Sequence, residues 1–454
     1  MQGSRGKSPL GRDEYLAPLL RPPPVPGESS TGVSLPDRIS LLQPRWAGEA
    51  SRVLLYSHDG LGLGHVRRNL AIAGAITEVA PLASVLLATS AEEAEKLGIP
   101  PGVDVLKLPG LRKLGNERYA PRRLRVSSSN FAAVRAKLLA AAVESFRPSV
   151  LLADKHPLGP GGELRLALEV ARTTGARTVL GLRDILDDAV AVAREWGAAG
   201  IFEQIAHYFD RVLVYGQADV FDPVRKYRFP NPVANMTHFC GYVFRSGKRT
   251  SLMDDGLEGL DRAPRIRPVV LATAGGGEDG FELLGTFIEA VAARPWDAIA
   301  VSGPQCDPVR AERLRGLASE AGVPFHRFVP GLSAAFGSLD ALVCMGGYNT
   351  LIEAAASGIP TVCVPRVRPR REQLLRAREF ARFGLLKLLQ PDQLDAAHLG
   401  DAIEWALEAR RGRGVGWPGA SLNFDGAARA AYHLLDLAAH RDVPPGTALG
   451  IAAP

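Results

Sequence analysis

His65 closes a glycine-rich stretch, Asp59-Gly60-Leu61-Gly62-Leu63-Gly64, that follows the apolar run at residues 52–57. A neutral imidazole at the start of a helix, at the mouth of a cleft, is suited to take a proton from a hydroxyl group. A histidine that only caps or packs against the helix would occupy the same place. Gly62 and Gly64 let backbone come close to a ligand, and the helix start favours an anion. A plain tight turn would use the same glycines. The spacing is not the dinucleotide GxGxxG, because His65 stands where that pattern requires another residue.

Two further constellations lie in the second half of the chain. Gly275-Gly276-Gly277 follows an apolar run and offers backbone N–H groups to a diphosphate, although any strand-to-helix turn could look this way. Gly346-Gly347-Tyr348-Asn349-Thr350 follows another, with Glu353 one turn on and then Gly358-Ile359-Pro360. Thr350 and Glu353 are three apart and share a helix face. A carboxylate so placed can bridge a ribose diol. The same pair resembles a capping box, which is a purely local device.

These groups need elements to hold them. Strands are expected at residues 52–57, 83–88, 103–108, 150–154, 178–182 and 211–215, with helices at 66–79, 91–97, 131–146, 164–174 and 201–208. The pattern lapses over 246–267 and restarts with strands at 268–272, 298–302, 325–329, 341–344 and 361–364. Helices are expected between them at 280–293, 308–321, 332–338 and 350–357. Such alternation predicts α/β architecture with parallel sheets. The domain plan is a disordered Pro-rich tail at 1–48, a Rossmann-like domain at 49–245, a linker at 246–267 and a second Rossmann-like domain at 268–415. A last helix and tail cover 416–454, the helix at 427–437 crossing back to the first domain. In such sheets ligands bind beyond the carboxyl ends of the strands. That rule adds Asp154, Lys155, Arg183 and Asp184 as candidates on the first domain's side of the cleft.

Four landmarks together resemble the family 28 glycosyltransferases of GT-B fold: the loop ending in His65, the loop Gly275–Gly277, the Gly347–Thr350–Glu353 spacing, and Gly358-Ile359-Pro360 followed by Glu372-Gln373. The family includes peptidoglycan N-acetylglucosaminyltransferases and monogalactosyldiacylglycerol synthase. The resemblance implies two Rossmann-like domains facing each other across a cleft. It implies that Glu353 holds a donor ribose, that Thr350 and residues 275–277 face a diphosphate, and that Gln373 and Glu372 contact the sugar. Gly346, Gly347 and Asn349 would complete that site, and His65 would lie near the reacting hydroxyl. Two departures stand out. The family's tandem Gln and following Asn are here Glu372-Gln373 and Arg376, and its Gly-Gly-His is here Gly62-Leu63-Gly64-His65.

Composition is consistent with this. The 454 residues are 46% hydrophobic and 22% charged, with a net charge of +6, as in an ordinary globular protein too long for one core. Four scattered cysteines lack ligand spacing, so no zinc site or disulfide framework is expected, and a reducing cytoplasm suits them. No apolar run is long enough to span a bilayer, and no nucleic-acid motif is present. Asp187-Asp188 and Asp254-Asp255 do not suggest a metal. Arg366, Arg368, Arg370 and Arg371 could offset leaving-group charge in its place. Arg112, Lys113, Arg118, Arg122, Arg123 and Arg125 are expected in a loop able to meet phosphate or phospholipid. The expected activity is metal-independent transfer from a UDP-sugar, UDP-N-acetylglucosamine first, with no other cofactor, to a hydroxyl acceptor that is anionic or lipid-linked. It would take place in the cytoplasm, with peripheral membrane contact open. A nucleotide-sugar 2-epimerase and a non-catalytic nucleotide-sugar-binding protein are the alternatives.

Overall fold

The computed structural model describes residues 50–58, 64–92, 94–115, 118–244, 266–412 and 422–440. Gly62, most of the expected linker and the two tails lie outside them. The first sheet comprises β1 (Arg52–Tyr56), β2 (Ser84–Thr89), β3 (Val103–Lys107), β6 (Val150–Asp154), β7 (Arg177–Arg183), β8 (Arg211–Tyr215) and β9 (Thr237–Phe239). Its order is β3-β2-β1-β6-β7-β8-β9, and every pairing is parallel. A separate antiparallel hairpin joins β4 (Leu111–Gly115) to β5 (Arg118–Pro121).

The second sheet contains β10 (Val269–Thr273), β11 (Asp297–Val301), β12 (Phe325–His326), β13 (Ala341–Cys344), β14 (Thr361–Cys363) and β15 (Lys387–Leu388), ordered β12-β11-β10-β13-β14-β15 and all parallel. In both sheets the order reverses beside the first strand, between β1 and β6 and between β10 and β13. Doubly wound sheets open a ligand crevice at such switch points.

Side chains alternate across the sheet. Val53 and Leu55 enter one apolar cluster while Leu54 and Tyr56 enter the other, as period-two geometry requires. Burial on both faces explains why the strands read as continuous apolar runs. The first of these clusters continues through Tyr215 and Tyr242 to Tyr348 and Leu351 of the second sheet's layer. The helix Gly426–Ala439 packs against the helix Gly64–Val79 and against β6 and β7 of the first sheet. Arg211 on β8 anchors it through Asp436, 3.3 Å away, and the carbonyl of His433. No helix among the described residues is long and apolar enough to cross a membrane.

Several expectations are corrected. The helix at 91–97 shrinks to a 3₁₀ turn, Glu95–Leu97. Thr89 Oγ1 accepts from the amide of Ala91, and Lys107 Nζ donates to the carbonyls of Ser90 and Ala91. These bonds engage the backbone groups that would begin a helix. The strand at 325–329 stops at His326, where pairing with β11 ends. The arginine-rich segment is a hairpin rather than a loop, and Arg122 and Arg123 both pair with Glu92. The helices Ala189–Ala199, Glu372–Arg382 and Ala396–Gly412 were not anticipated.

Tyr348 ties the two sheet layers together. Its hydroxyl donates to the carbonyl of Tyr215 at 3.0 Å and accepts from the amide of Val243 at 3.2 Å. Tyr348→Phe leaves both backbone groups buried and unpaired, so urea unfolding should show a loss of about 1–3 kcal/mol. A midpoint unchanged from that of the parent chain would refute this anchoring role.

Candidate active site

A cleft of about 820 Å³ opens where the two switch points face each other. From the first sheet's side it is lined by Gly64, His65, Arg67, Arg68 and Arg183. From the second come Gly275, Gly276, Gly347, Asn349, Thr350, Glu353 and Gln373. Chain topology thus brings together, on one surface, glycine loops that are about 210 residues apart in sequence.

His65 begins the helix Gly64–Val79, and its side chain turns toward the end of β6. Nδ1 lies 2.6 Å from Asp154 Oδ2. Arg68, one turn on and therefore on the same helix face, donates to both oxygens of Asp154 at 2.8 and 2.9 Å. Burial acts against charge on the carboxyl, but Arg68 and His65 outweigh it and hold Asp154 down at about 2. Burial also disfavours imidazolium. Asp154 opposes that effect, yet its charge is already matched by Arg68, and His65 is pushed down to about 4. The ring is neutral at neutral pH. With Nδ1–H donating to the carboxylate, Nε2 keeps its lone pair, the arrangement of an oriented general base. The side-chain partners of His65 among the described residues are Asp154 and Arg68.

Arg68 is itself enclosed by aromatic rings, its guanidinium carbon 5.0 Å from the Tyr215 ring centroid and 5.7 Å from that of Tyr348. Sequence reading missed Arg67 and Arg68. The i, i+3 spacing of His65 and Arg68 was the available signal for the latter.

On the opposite wall the helix Tyr348–Ser357 starts at Gly347, which makes no side-chain cap. First-turn amides of such a helix are open to an anion. Glu353 lies too far into the helix to form a capping box with Thr350. It instead accepts from Arg67 across the cleft. Burial raises the Glu353 carboxyl above its usual range despite Arg67. A second bridge runs from Asn349 Nδ2 to the carbonyl of Gly64, 3.3 Å away.

The remaining candidates separate by position. Gly275 and Gly276 reach the cleft, whereas Gly277 does not appear in its lining. At φ +99°, a Cβ on Gly277 would lie 2.5 Å from the carbonyl of Ser302, so this glycine serves the turn. Gly346 is likewise set back, its carbonyl 3.4 Å from Arg376 Nη1. Gln373 lines the cleft, its Oε1 accepting from the amide of Arg366. Glu372 is buried and bonds Arg366 at 2.8 Å. Burial would raise its carboxyl, but Arg183, Arg366 and Arg376 hold it low.

Lys155 also stands back from the lining. It adopts φ +75° and sets Nζ 3.3 Å from His58 Nε2. Asp184 is fully buried, 3.9 Å from Arg376, in the contact between the two sheet layers.

The arginines expected to offset leaving-group charge are corrected too, because Arg366, Arg368, Arg370 and Arg371 are not among the lining residues. Arg366 pairs with Asp279 and Glu372, and Arg370 with Asp187 and Glu195. Asp187 also accepts from the amide of Arg371, and Asp188 caps the helix Ala189–Ala199. Among the described residues no group of three metal-ligating side chains occurs.

No family model matches the chain. Its sequence is similar to two curated proteins, each named UDP-N-acetylglucosamine–N-acetylmuramyl-(pentapeptide) pyrophosphoryl-undecaprenol N-acetylglucosamine transferase. The one from Salmonella arizonae is 30% identical over 149 residues, which is 31% of this chain and 42% of that protein. The one from Salmonella typhi is 26% identical over 392 residues, 83% of this chain and 96% of that protein. Among solved structures, a UDP-glucosyltransferase from Polygonum tinctorium superposes with a TM-score of 0.60 at 14% identity, covering 87% of this chain and all of that one. A transferase from Siraitia grosvenorii, in complex with UDP, gives 0.57 at 13% identity over 86% of this chain and all of that one. Two parallel doubly wound sheets, a cleft between their switch points and these likenesses make the chain a GT-B glycosyltransferase similar to family 28.

Proposed function

We propose that the chain transfers a sugar from a UDP-sugar, UDP-N-acetylglucosamine in the first instance, to a hydroxyl acceptor without a divalent metal. The observation that carries this reading is one cleft with a neutral, carboxylate-held His65 on one wall and Gly275, Gly276, Thr350 and Glu353 on the other. Glu353 would take the ribose hydroxyls once Arg67 yields it. The uncapped helix start at Gly347 and the backbone of residues 275–276 would receive the diphosphate. Gln373 would meet the sugar, and His65 Nε2 would accept the proton of the attacking hydroxyl. The curated relatives are named for UDP-N-acetylglucosamine and a lipid-linked pyrophosphoryl acceptor, which favours an anionic or lipid-linked acceptor for this chain. Epimerisation by elimination would require more cleft carboxylates than the single one, Glu353, found in the described lining.

Glu353→Ala should weaken UDP-sugar binding by roughly 1–3 kcal/mol in isothermal titration, the scale of charged hydrogen bonds. Undiminished affinity in the folded variant would overturn the ribose assignment.

His65→Ala should lower turnover by about 10²- to 10⁴-fold while donor affinity barely changes. Because only neutral His65 can accept the proton, activity should persist through pH 6 and fall as pH drops through about 4, the value at which the buried ring gains its proton. An acid limb near the ordinary histidine value would contradict the buried, neutral ring.

Turnover should also survive EDTA, since the backbone amides of the helix start and of residues 275–276 are assigned the work of a cation. Abolition by EDTA with recovery on adding magnesium or manganese would refute that assignment.

A further inference from the structure

Arg183 is the last residue of β7, at the carboxyl end of the first sheet, and it lines the cleft. Among the described residues its guanidinium has no hydrogen-bond or ion-pair partner, and its Nε is buried without one. The neighbouring charges do not supply one. Arg68 is occupied by both oxygens of Asp154. Arg376 bonds the carbonyls of Ile185 and Gly346 and lies near Asp184. Glu372, the nearby anion, is bonded by Arg366 through Oε1, and its Oε2 makes no hydrogen bond to Arg183. Glu353 is bonded by Arg67. Of the three arginines that line the cleft, Arg67 and Arg68 have carboxylate partners and Arg183 has neither a hydrogen-bond nor an ion-pair partner among the described residues.

A half-buried guanidinium whose donors meet no acceptor is unfavourable. Burial, followed by repulsion from Arg376, lowers Arg183 to about 10, which still leaves it charged at neutral pH. An ordinary core position would be filled more stably by an apolar or neutral side chain. A guanidinium held open toward a cleft presents a fork that matches two oxygens of a phosphate or carboxylate. We propose that Arg183 is the binding residue for an anionic oxygen group, phosphate or carboxylate, carried into the cleft by a reactant. This rests on reading the cleft as a sugar-transfer site. Two sources offer the same chemistry, the diphosphate of the donor and an anionic group on the acceptor.

The test uses the full chain with Arg183→Gln and Arg183→Lys, and probes it with uridine, UDP and inorganic phosphate by titration calorimetry. Melting is followed in parallel. A donor source predicts that Arg183→Gln weakens UDP at least about tenfold while uridine is unaffected, the scale of a charge-assisted hydrogen bond. An acceptor source predicts unchanged UDP binding and a similar loss of phosphate binding to the UDP-loaded protein. Arg183→Lys should recover part of either loss. The melting temperature of Arg183→Gln should equal or exceed that of the parent chain, because a half-buried guanidinium with an unmatched donor has been removed. The proposal is overturned if UDP and phosphate both bind Arg183→Gln as they bind the parent chain, whatever happens to melting. Should the parent chain bind neither uridine nor UDP yet bind phosphate through Arg183, the sugar-transfer reading fails and the anion site stands.

Discussion

The whole arrangement depends on a buried polar contact that fixes one sheet layer against the other. Arg376, fully buried on the helix Glu372–Arg382, donates to Ile185 O beyond β7 and to Gly346 O beyond β13. Its guanidinium also faces the ring of Tyr348, with 5.5 Å between guanidinium carbon and centroid. Around it, Asp187 accepts from the amide of Arg371, and Arg370 reaches Asp187 and Glu195. An arginine removed from water is tolerable only where carbonyls, carboxylates and aromatic faces replace its hydration. Those partners come from both layers, so separating the layers would strip the charge of its compensation.

With the layers held there, the cleft can divide its charges between two walls. The first carries Asp154, kept ionised by Arg68, and this fixed ion pair lets His65 remain neutral. A carboxylate beside a histidine ordinarily favours imidazolium. Here the carboxylate is already matched, and burial decides the outcome. The second wall presents amides at an uncapped helix start and the carboxylate of Glu353. Arg67 spans the gap to Glu353, and Asn349 spans it to Gly64. Both bridges cross the cleft, so a ligand seated between these residues would have to exchange the contacts for its own.

Arg376 also accounts for a departure from the family 28 pattern. Where that family places Asn after its tandem glutamines, this chain has an arginine whose surroundings are interdomain. Glu372 is drawn into the same charge network by Arg366 and Arg183. Only Gln373 of the pair stays on the cleft surface. Fewer residues of this stretch therefore face the cleft than the sequence pattern implies.

The strand–loop–helix alternation was legible along the chain because parallel strands buried on both faces read as unbroken apolar runs. The glycine loops were legible because backbone must turn sharply at strand ends. Those local constraints determined the two-sheet α/β architecture and placed His65, Gly275, Thr350 and Glu353 at the carboxyl ends where ligands bind. Edge elements such as β9 and β15, the hairpin of β4 and β5, and the helix Ala189–Ala199 carry weaker local patterns, since much of what holds them lies elsewhere in the chain. Partnership was decided by tertiary structure alone. No spacing in the sequence could have said that Arg68 and His65 share Asp154, or that Arg67 reaches Glu353 from 286 residues away. Nor could it have said that Arg366 and Arg370 are spent on ion pairs while Arg183 faces the cleft. The reason is physical: a charged side chain takes its state from whatever folding packs within a few ångströms of it, and for these residues that environment comes from distant parts of the chain.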